Sequence, residues 1–189
     1  MKTRTLFLAV AIALGTISGF GNNVEKHESN TLKVPHGSEI PEAFKSQLAD
    51  VLTKYLDLKD ALVATDESKA TEAAKATPSS LKGVDMMLLK GDAHNKWMSY
   101  QKKIKSNLDG IVMMKGIEMK RSHFKTVSDE LVKSIKEFEV SPENTVYLEY
   151  CPMANNNKGA YWLSESKDIK NPYFGDKMLT CGSVKEVIE

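Results

Sequence analysis

Apolar residues recur at steps of three and four between positions 41 and 138, and this spacing constrains the fold more than any other feature. Such spacing places apolar side chains on one face of a helix. The first segment shows it most clearly, with Phe44, Leu48, Val51, Leu52, Tyr55, Leu58 and Leu62. Short links separate this segment from the later ones, and the pattern therefore predicts an up-and-down four-helix bundle.

Capping residues and breakers divide the helical region. Pro41 is a favourable first helical residue, and Asp66 is predicted to cap the second helix. Thr77 has the residue type of an N-cap, and Pro78 has that of a first helical position. A separate helical stretch is therefore predicted to begin at Pro78.

Two further breakers lie in the second half of this region. Gly91 is predicted to end one helix and Asp92 to cap the next, which the dipeptide Asp109-Gly110 is expected to interrupt. The last helix is expected to run to about Phe138.

The sequence pattern changes after Ser141-Pro142. Residues 145–150 alternate and contain β-branched and aromatic side chains, which predicts a strand. Residues 155–159 have turn composition, and residues 160–163 supply the partner strand. The predicted fold is mainly α: a four-helix bundle with a small C-terminal β-hairpin and irregular cap. We assign residues 41–189 to one domain, with the bundle at 41–140 and the cap at 141–189.

The N-terminus has the composition of a secretory signal peptide. Lys2 and Arg4 precede an apolar run too short to span a membrane comfortably, and small residues follow it. We predict a signal peptide at residues 1–21 and a flexible linker at 22–40. The mature protein is expected to be periplasmic or secreted, with no membrane association after cleavage.

Composition and motifs argue against two classes of function. The 26 basic and 25 acidic residues are interspersed and give a net charge of +1, so no basic face for nucleic acid is expected. The chain has no Cys-x-x-Cys, no glycine-rich phosphate loop and no Gly-x-Ser-x-Gly. We therefore predict a protein that is not an enzyme.

Two sulfur-containing clusters carry the most specific chemistry. Cys151 is followed by Met153, and Cys181 is preceded by Met178. Thiolate and thioether ligands together select Cu(I) over harder metals. The two cysteines of an exported protein are also expected to form a disulfide. The residues by themselves leave both interpretations open.

Histidine and the remaining methionines receive weaker predictions. His123 lies one position off the apolar stripe of the last helix, where it is either a further metal contact or a half-buried histidine bonded to a carbonyl. His94 is interpreted as a surface or capping residue. Met86-Met87 and Met113-Met114 are interpreted as core-filling side chains, the usual role of methionine.

Several longer segments resemble a bacterial family, the domain of unknown function numbered 3347. In the cap they are CPMA at 151–154, KGAYWLS at 158–164, IKNPYFG at 169–175 and KMLTCG at 177–182. YLDLKDAL at 55–62 and RSHF at 121–124 are similar to the helical half of that family. The resemblance implies an exported envelope protein, related to domains fused to the periplasmic adaptors of heavy-metal efflux pumps. The Cys-Pro-Met element is similar to metal-binding modules of such adaptors, although Ala154 stands where those modules carry histidine.

The sequence and the resemblance together predict a periplasmic soft-metal protein, most readily for copper(I), associated with metal homeostasis or efflux. The predicted ligands are Cys151, Met153, Met178 and Cys181, with His123 as a fifth contact. Its expected partners are the metal ion and an efflux-system or other envelope protein. The alternative is a disulfide-stapled, non-enzymatic interaction module of an envelope complex, anchored by Trp162, Tyr173 and Phe174.

Overall fold

A computed structural model describes residues 39–189, which form four long helices followed by a small antiparallel sheet. The predicted signal peptide at 1–21 and nearly all of the predicted linker at 22–40 lie outside the described residues. The helices are α1 (Glu42–Val63), α2 (Glu67–Gly83), α3 (Gly91–Met113) and α4 (Ile117–Glu137). The strands are β1 (Val146–Cys151), β2 (Ala160–Ser164) and β3 (Ser183–Ile188). The predicted mainly helical fold, a bundle with a small C-terminal β structure, is confirmed.

Helix α2 differs from the sequence prediction because it continues through Pro78. The Asp66 side chain accepts a hydrogen bond from the Lys69 backbone N–H, so the predicted cap is confirmed. The predicted new start at Thr77 is wrong, since the Thr77 hydroxyl instead donates to the Ala73 carbonyl one turn earlier. Ala70, Ala74 and Leu81 are buried on both sides of the proline, and this common packing face outweighs the lost backbone bond.

Helix α3 is also longer than its breakers suggest. It begins at Gly91 with Lys90 in the N-cap position, so the predicted stop at Gly91 and cap at Asp92 are wrong. It also continues through Asp109-Gly110, where an interruption was expected. The His123 ring of α4 occupies the space that a side chain at position 110 would need, so only glycine fits here inside the helix.

The core of the bundle is built from aromatic rings. Phe44 packs edge-on against both Trp97 and Phe138, with ring centroids 5.4 Å and 5.0 Å apart. Tyr55 of α1 stacks on Phe124 of α4 at 5.2 Å. These contacts join α1, α3 and α4 around one apolar interior, as the predicted apolar faces require.

The sheet has three strands in the order β2-β1-β3, all antiparallel, so β1 is central. The predicted β1–β2 hairpin is present, and β3 adds a third strand that the sequence pattern does not predict. The turn between β1 and β2 contains three consecutive asparagines, Asn155, Asn156 and Asn157, with positive φ. Asparagine tolerates this left-handed conformation better than most residues, which is why the segment turns here.

Backbone groups on the unpaired edge of β2 form hydrogen bonds with hydroxyl groups from outside the sheet. The Leu163 backbone N–H donates to the Tyr55 hydroxyl at 3.1 Å. The Tyr161 carbonyl accepts from the hydroxyls of Ser128 at 2.9 Å and Tyr173 at 2.6 Å. The bundle thus covers an edge that would otherwise present unpaired backbone groups. Among the described helices, none combines the length and the hydropathy needed to cross a bilayer.

Candidate functional site

The cap brings the two cysteines together from positions 30 residues apart, with their Sγ atoms 2.8 Å from each other. Cys151 ends β1, and Cys181 lies two residues before β3. Tyr150 pairs with Ser183 across the β1–β3 ladder, so the register places the two cysteines diagonally opposite. The third strand therefore creates the site.

The two sulfur atoms are in direct contact. Their separation exceeds the length of a disulfide bond, which is about 2.05 Å, and no bond joins the two residues in this structure. Cys151 is buried and Cys181 is half-buried. Two thiols in this position can be oxidised to a disulfide, or they can bind one soft metal ion after small shifts of the side chains.

The neighbouring Cys151 changes the pKa of the Cys181 thiol. The contact with the Cys151 sulfur and the partial burial of the side chain raise the pKa of the Cys181 thiol. The backbone N–H of Met153 faces the same sulfur and acts in the opposite direction. A neutral thiol is therefore favoured at neutral pH, and a metal ion must displace its proton.

Asn171 holds the segment that carries Cys181. Its buried side-chain amide donates to the Cys181 carbonyl at 2.7 Å, and its side-chain oxygen accepts from the Tyr173 backbone N–H at 2.8 Å. Its own backbone N–H donates to the Leu179 carbonyl at 2.8 Å. One buried asparagine thus fixes the loop on both sides of its bend.

Met153 and Met178 both line one surface cavity of about 490 Å³, together with Asn155 and Lys125. Their backbones are close to the cysteines, because the Cys181 backbone N–H donates to the Met178 carbonyl at 3.1 Å. The structure therefore places both methionines at one cavity on the α4 side of the cap, and neither Cys151 nor Cys181 is among the residues that line it. Coordination of one ion by all four sulfurs stays a prediction.

The structure does not bring His123 to the cysteine pair. Its Nδ1 atom lies 3.0 Å from the side-chain oxygen of Asn107 in α3, and its ring covers Gly110 of the same helix. His123 is half-buried and bonded to a carbonyl oxygen, which is the alternative that the sequence left open. Within residues 39–189, no three or more His, Cys, Asp or Glu side chains are grouped as a metal site.

Two of the three aromatic anchors expected for an interaction module are not on the surface. Trp162 and Tyr173 are buried and pack against each other with ring centroids 5.9 Å apart. Phe174 is half-buried and lines the cavity beside the methionines. The prediction that Trp162 and Tyr173 form an exposed docking surface is therefore wrong, because both side chains are needed in the core of the cap.

Arg121 is a structural residue of the site whose role the sequence did not reveal. Its buried guanidinium donates to the Pro172 carbonyl of the cap at 2.9 Å and to the Leu62 carbonyl at the end of α1 at 3.0 Å. It also forms an ion pair with Glu118, which in turn bonds Lys177. Its spacing of three residues from Phe124, on the buried face of α4, was the signal in the sequence that could have indicated this role.

The geometry defines a class of protein: a four-helix bundle whose three-stranded cap carries a contacting pair of cysteines beside two methionines. Residues 51–143 match the model of the family described as "Protein of unknown function (DUF3347)". The chain is similar to that family over this segment. It begins within α1 and ends before β1, so the cap motifs at 151–182 lie outside the matched residues. Comparison with the curated proteins and with the solved structures gives no match.

Proposed function

We propose that this protein binds a soft metal ion, Cu(I), in its C-terminal cap, and that it acts as an exported copper chaperone, buffer or sensor rather than as an enzyme. The observation that carries the proposal is the contact between the Cys151 and Cys181 sulfurs at 2.8 Å. Met153 and Met178, which lie two and three residues from the cysteines in the sequence, support it, since thiolate and thioether ligands favour Cu(I).

The chemistry of binding is an exchange of protons for metal. Cu(I) takes the thiolate form of cysteine, so each thiol that becomes a ligand releases its proton. Asn171 keeps Cys181 near Cys151 while this occurs, because it fixes the Cys181 carbonyl. Apparent affinity is therefore expected to increase with pH until both thiols are ionised.

Competition with a chromogenic Cu(I) chelator, under reducing and anaerobic conditions, tests this proposal. The wild-type chain is expected to remove Cu(I) from the chelator, and both Cys151→Ser and Cys181→Ser are expected to weaken this binding at least 100-fold. Met153→Leu and Met178→Leu keep the volume and remove only the thioether, and about a tenfold weakening is expected from each. Unchanged affinity in both serine variants would show that the cysteine pair is not a metal site.

A second candidate function follows from the same sulfur contact. If an oxidant removes two electrons and two protons, the pair becomes a disulfide that staples the cap of a non-enzymatic interaction module. In the chain-entropy model a bridge over this loop contributes roughly 3–4 kcal/mol. Counting reactive thiols in protein isolated without reductant, then denatured with a Cu(I) chelator, separates the two functions: two reactive thiols favour the metal site, and none favours the staple.

The site of action is part of the proposal. Export rests on the composition of residues 1–21, and a role in metal homeostasis or efflux rests on the resemblance to domains fused to efflux adaptors. The mass of the protein recovered from the periplasm tests export, because cleavage near residue 21 is expected. Full-length protein confined to the cytoplasm would contradict it.

A further inference from the structure

The methionines are exposed, against the usual preference of this side chain. The chain has nine methionines, and apart from Met1, which lies outside the described residues, none is buried. Met87 and Met113 are each 76% exposed, and Met119 is 50% exposed. The prediction that Met86-Met87 and Met113-Met114 fill the core is therefore wrong. An unbranched apolar side chain normally fills gaps in a core, so repeated exposure suggests a role for the thioether itself.

These methionines also fall into groups along the chain. Two belong to the cap beside the cysteines, and the other six fall into two groups, each of which contains one histidine. We define the His123 cluster as His123, Met113, Met114 and Met119. We define the His94 cluster as His94, Met86, Met87 and Met98.

In the His123 cluster, the hydrogen bond of the imidazole defines which nitrogen is free. The Asn107 side-chain nitrogen donates to the Lys103 carbonyl at 2.9 Å, so the Asn107 side-chain oxygen faces His123 Nδ1 at 3.0 Å. This oxygen only accepts, so Nδ1 carries a proton and Nε2 of the neutral ring keeps its lone pair. Metal-binding histidines commonly use this arrangement, with one nitrogen held by an outer oxygen and the other available for the ion.

The register of α3 against α4 brings the methionines of this cluster to one level. The His123 ring lies over Gly110, where an added Cβ would be only 2.6 Å from the ring. Since the helices are antiparallel, residues 113–114 lie opposite residues 119–120. The bond from Lys120 Nζ to the Met114 carbonyl, at 2.7 Å, agrees with this register. Met119 lies one helical turn before His123, so the two side chains are neighbours on the surface of α4.

The His94 cluster repeats the same arrangement at the other end of α3. His94 Nδ1 lies 2.9 Å from the Met86 carbonyl, another oxygen that only accepts, so Nε2 is again the nitrogen with the lone pair. Met98 lies one turn after His94 on the helix, and Met86 and Met87 belong to the short 3-10 segment beside it. The arrangement in both clusters is one half-buried imidazole among exposed thioethers.

We propose that the helical bundle carries two thioether–imidazole sites for a soft monovalent ion, Cu(I) or Ag(I), distinct from the cysteine pair of the cap. Thioether sulfur and neutral imidazole nitrogen are uncharged ligands of soft or intermediate character, and they bind such ions in preference to Mg²⁺ or Ca²⁺. These sites need no thiolate, unlike the cysteine pair, and they do not depend on the cap function for their evidence.

The test uses the full chain with Cys151→Ser and Cys181→Ser, which removes the thiols of the cap. Ag(I) is titrated while the methionine ε-methyl signals are followed by NMR, and Cu(I) binding is measured by chelator competition. We expect two equivalents to bind, with shifts of the Met113, Met114 and Met119 methyl signals and of the Met86, Met87 and Met98 signals. No binding of either ion by this chain would overturn the proposal.

Leucine variants provide the matched comparison in the same background. Met113→Leu, Met114→Leu and Met119→Leu together are expected to remove one equivalent, and Met86→Leu, Met87→Leu and Met98→Leu the other. Leucine has nearly the same volume, and the side chains are exposed, so an unchanged urea midpoint is expected in both variants. Retention of two equivalents in both variants would also overturn the proposal. Neither result affects the cap, whose own test is the pair of cysteine variants.

Discussion

At the scale of single residues, the cap contains a carboxyl group in an unfavourable place. Glu149 of β1 is 0% exposed, and neither side-chain oxygen has a hydrogen-bond partner. It faces the indole of Trp162, its cross-strand partner, whose N–H is also without a well-aligned acceptor. Burial raises the pKa of Glu149 to about 7, and the indole N–H and the Lys59 ammonium only partly oppose this shift.

This shift predicts how stability depends on pH. The folded state binds the Glu149 proton more tightly than the unfolded state, whose pKa is near 4.5. The contribution that the protonated Glu149 side chain makes to the free energy of unfolding is therefore complete below pH 4.5. It is lost as pH increases through about 7. Glu149→Gln removes the charge. The difference in free energy of unfolding between this variant and the wild type should therefore be about 2–3 kcal/mol more favourable to the variant at pH 8 than at pH 5.

Urea unfolding at both pH values measures the effect. Glu165→Gln, which changes an exposed carboxylate at the end of β2, serves as the control and should show no such difference. An equal response of the two variants would mean that Glu149 ionises freely in the folded protein.

At the scale of secondary-structure elements, α3 is ended by a side chain from α4. Buried Lys120 donates from Nζ to the Ile111 carbonyl at 2.6 Å and to the Met114 carbonyl at 2.7 Å. The last carbonyls of a helix lack partners within the helix, and a cation there also interacts favourably with the helix dipole. The link between α3 and α4 is thus stabilised by a residue that follows it in the chain.

Lys120→Met is therefore expected to lower the free energy of unfolding by about 2–3 kcal/mol, since two charge-assisted hydrogen bonds are lost. Lys105→Met is the matched control, because Lys105 makes an exposed ion pair with Asp109 and should cost less than about 1 kcal/mol. Urea denaturation of the three proteins tests the difference. Equal losses in both variants would contradict the capping role.

At the scale of the whole molecule, the bundle and the cap are joined through Arg121. Its guanidinium reaches the end of α1 at Leu62, the Thr65 hydroxyl and the Pro172 carbonyl of the cap. A planar fork with several donors can make these bonds simultaneously, and an ammonium group cannot. The position of the 171–177 segment, and with it that of Cys181, depends on this residue.

Arg121→Lys should therefore increase amide hydrogen exchange at Tyr173 and Gly175 by at least tenfold, with α2 unaffected. It is also expected to slow formation of a disulfide between Cys151 and Cys181 under mild oxidant. Lys125→Arg, on the same helix and paired with Asp129, is the control and should change neither measurement. Protection at 171–177 equal to that of the wild type would show that the cap is held in place without Arg121.

The sequence by itself determined the periodic apolar faces, the four-helix bundle, the Asp66 cap and the β1–β2 hairpin. Each depends on neighbours within a few residues, where propensity and spacing act directly. It also predicts that the two cysteine segments carry the chemistry, and this stays a prediction.

The tertiary structure alone decided the continuity of α2 through Pro78 and of α3 through Gly110, because a partner helix outweighs a local breaker. It alone decided that His123 lies against α3 and that the bundle methionines face solvent, since both depend on the register between helices. The meeting of Cys151 and Cys181 was decided by β3, whose pairing with β1 joins segments far apart in the chain. Contacts between residues so far apart in the chain leave no local pattern in a single sequence.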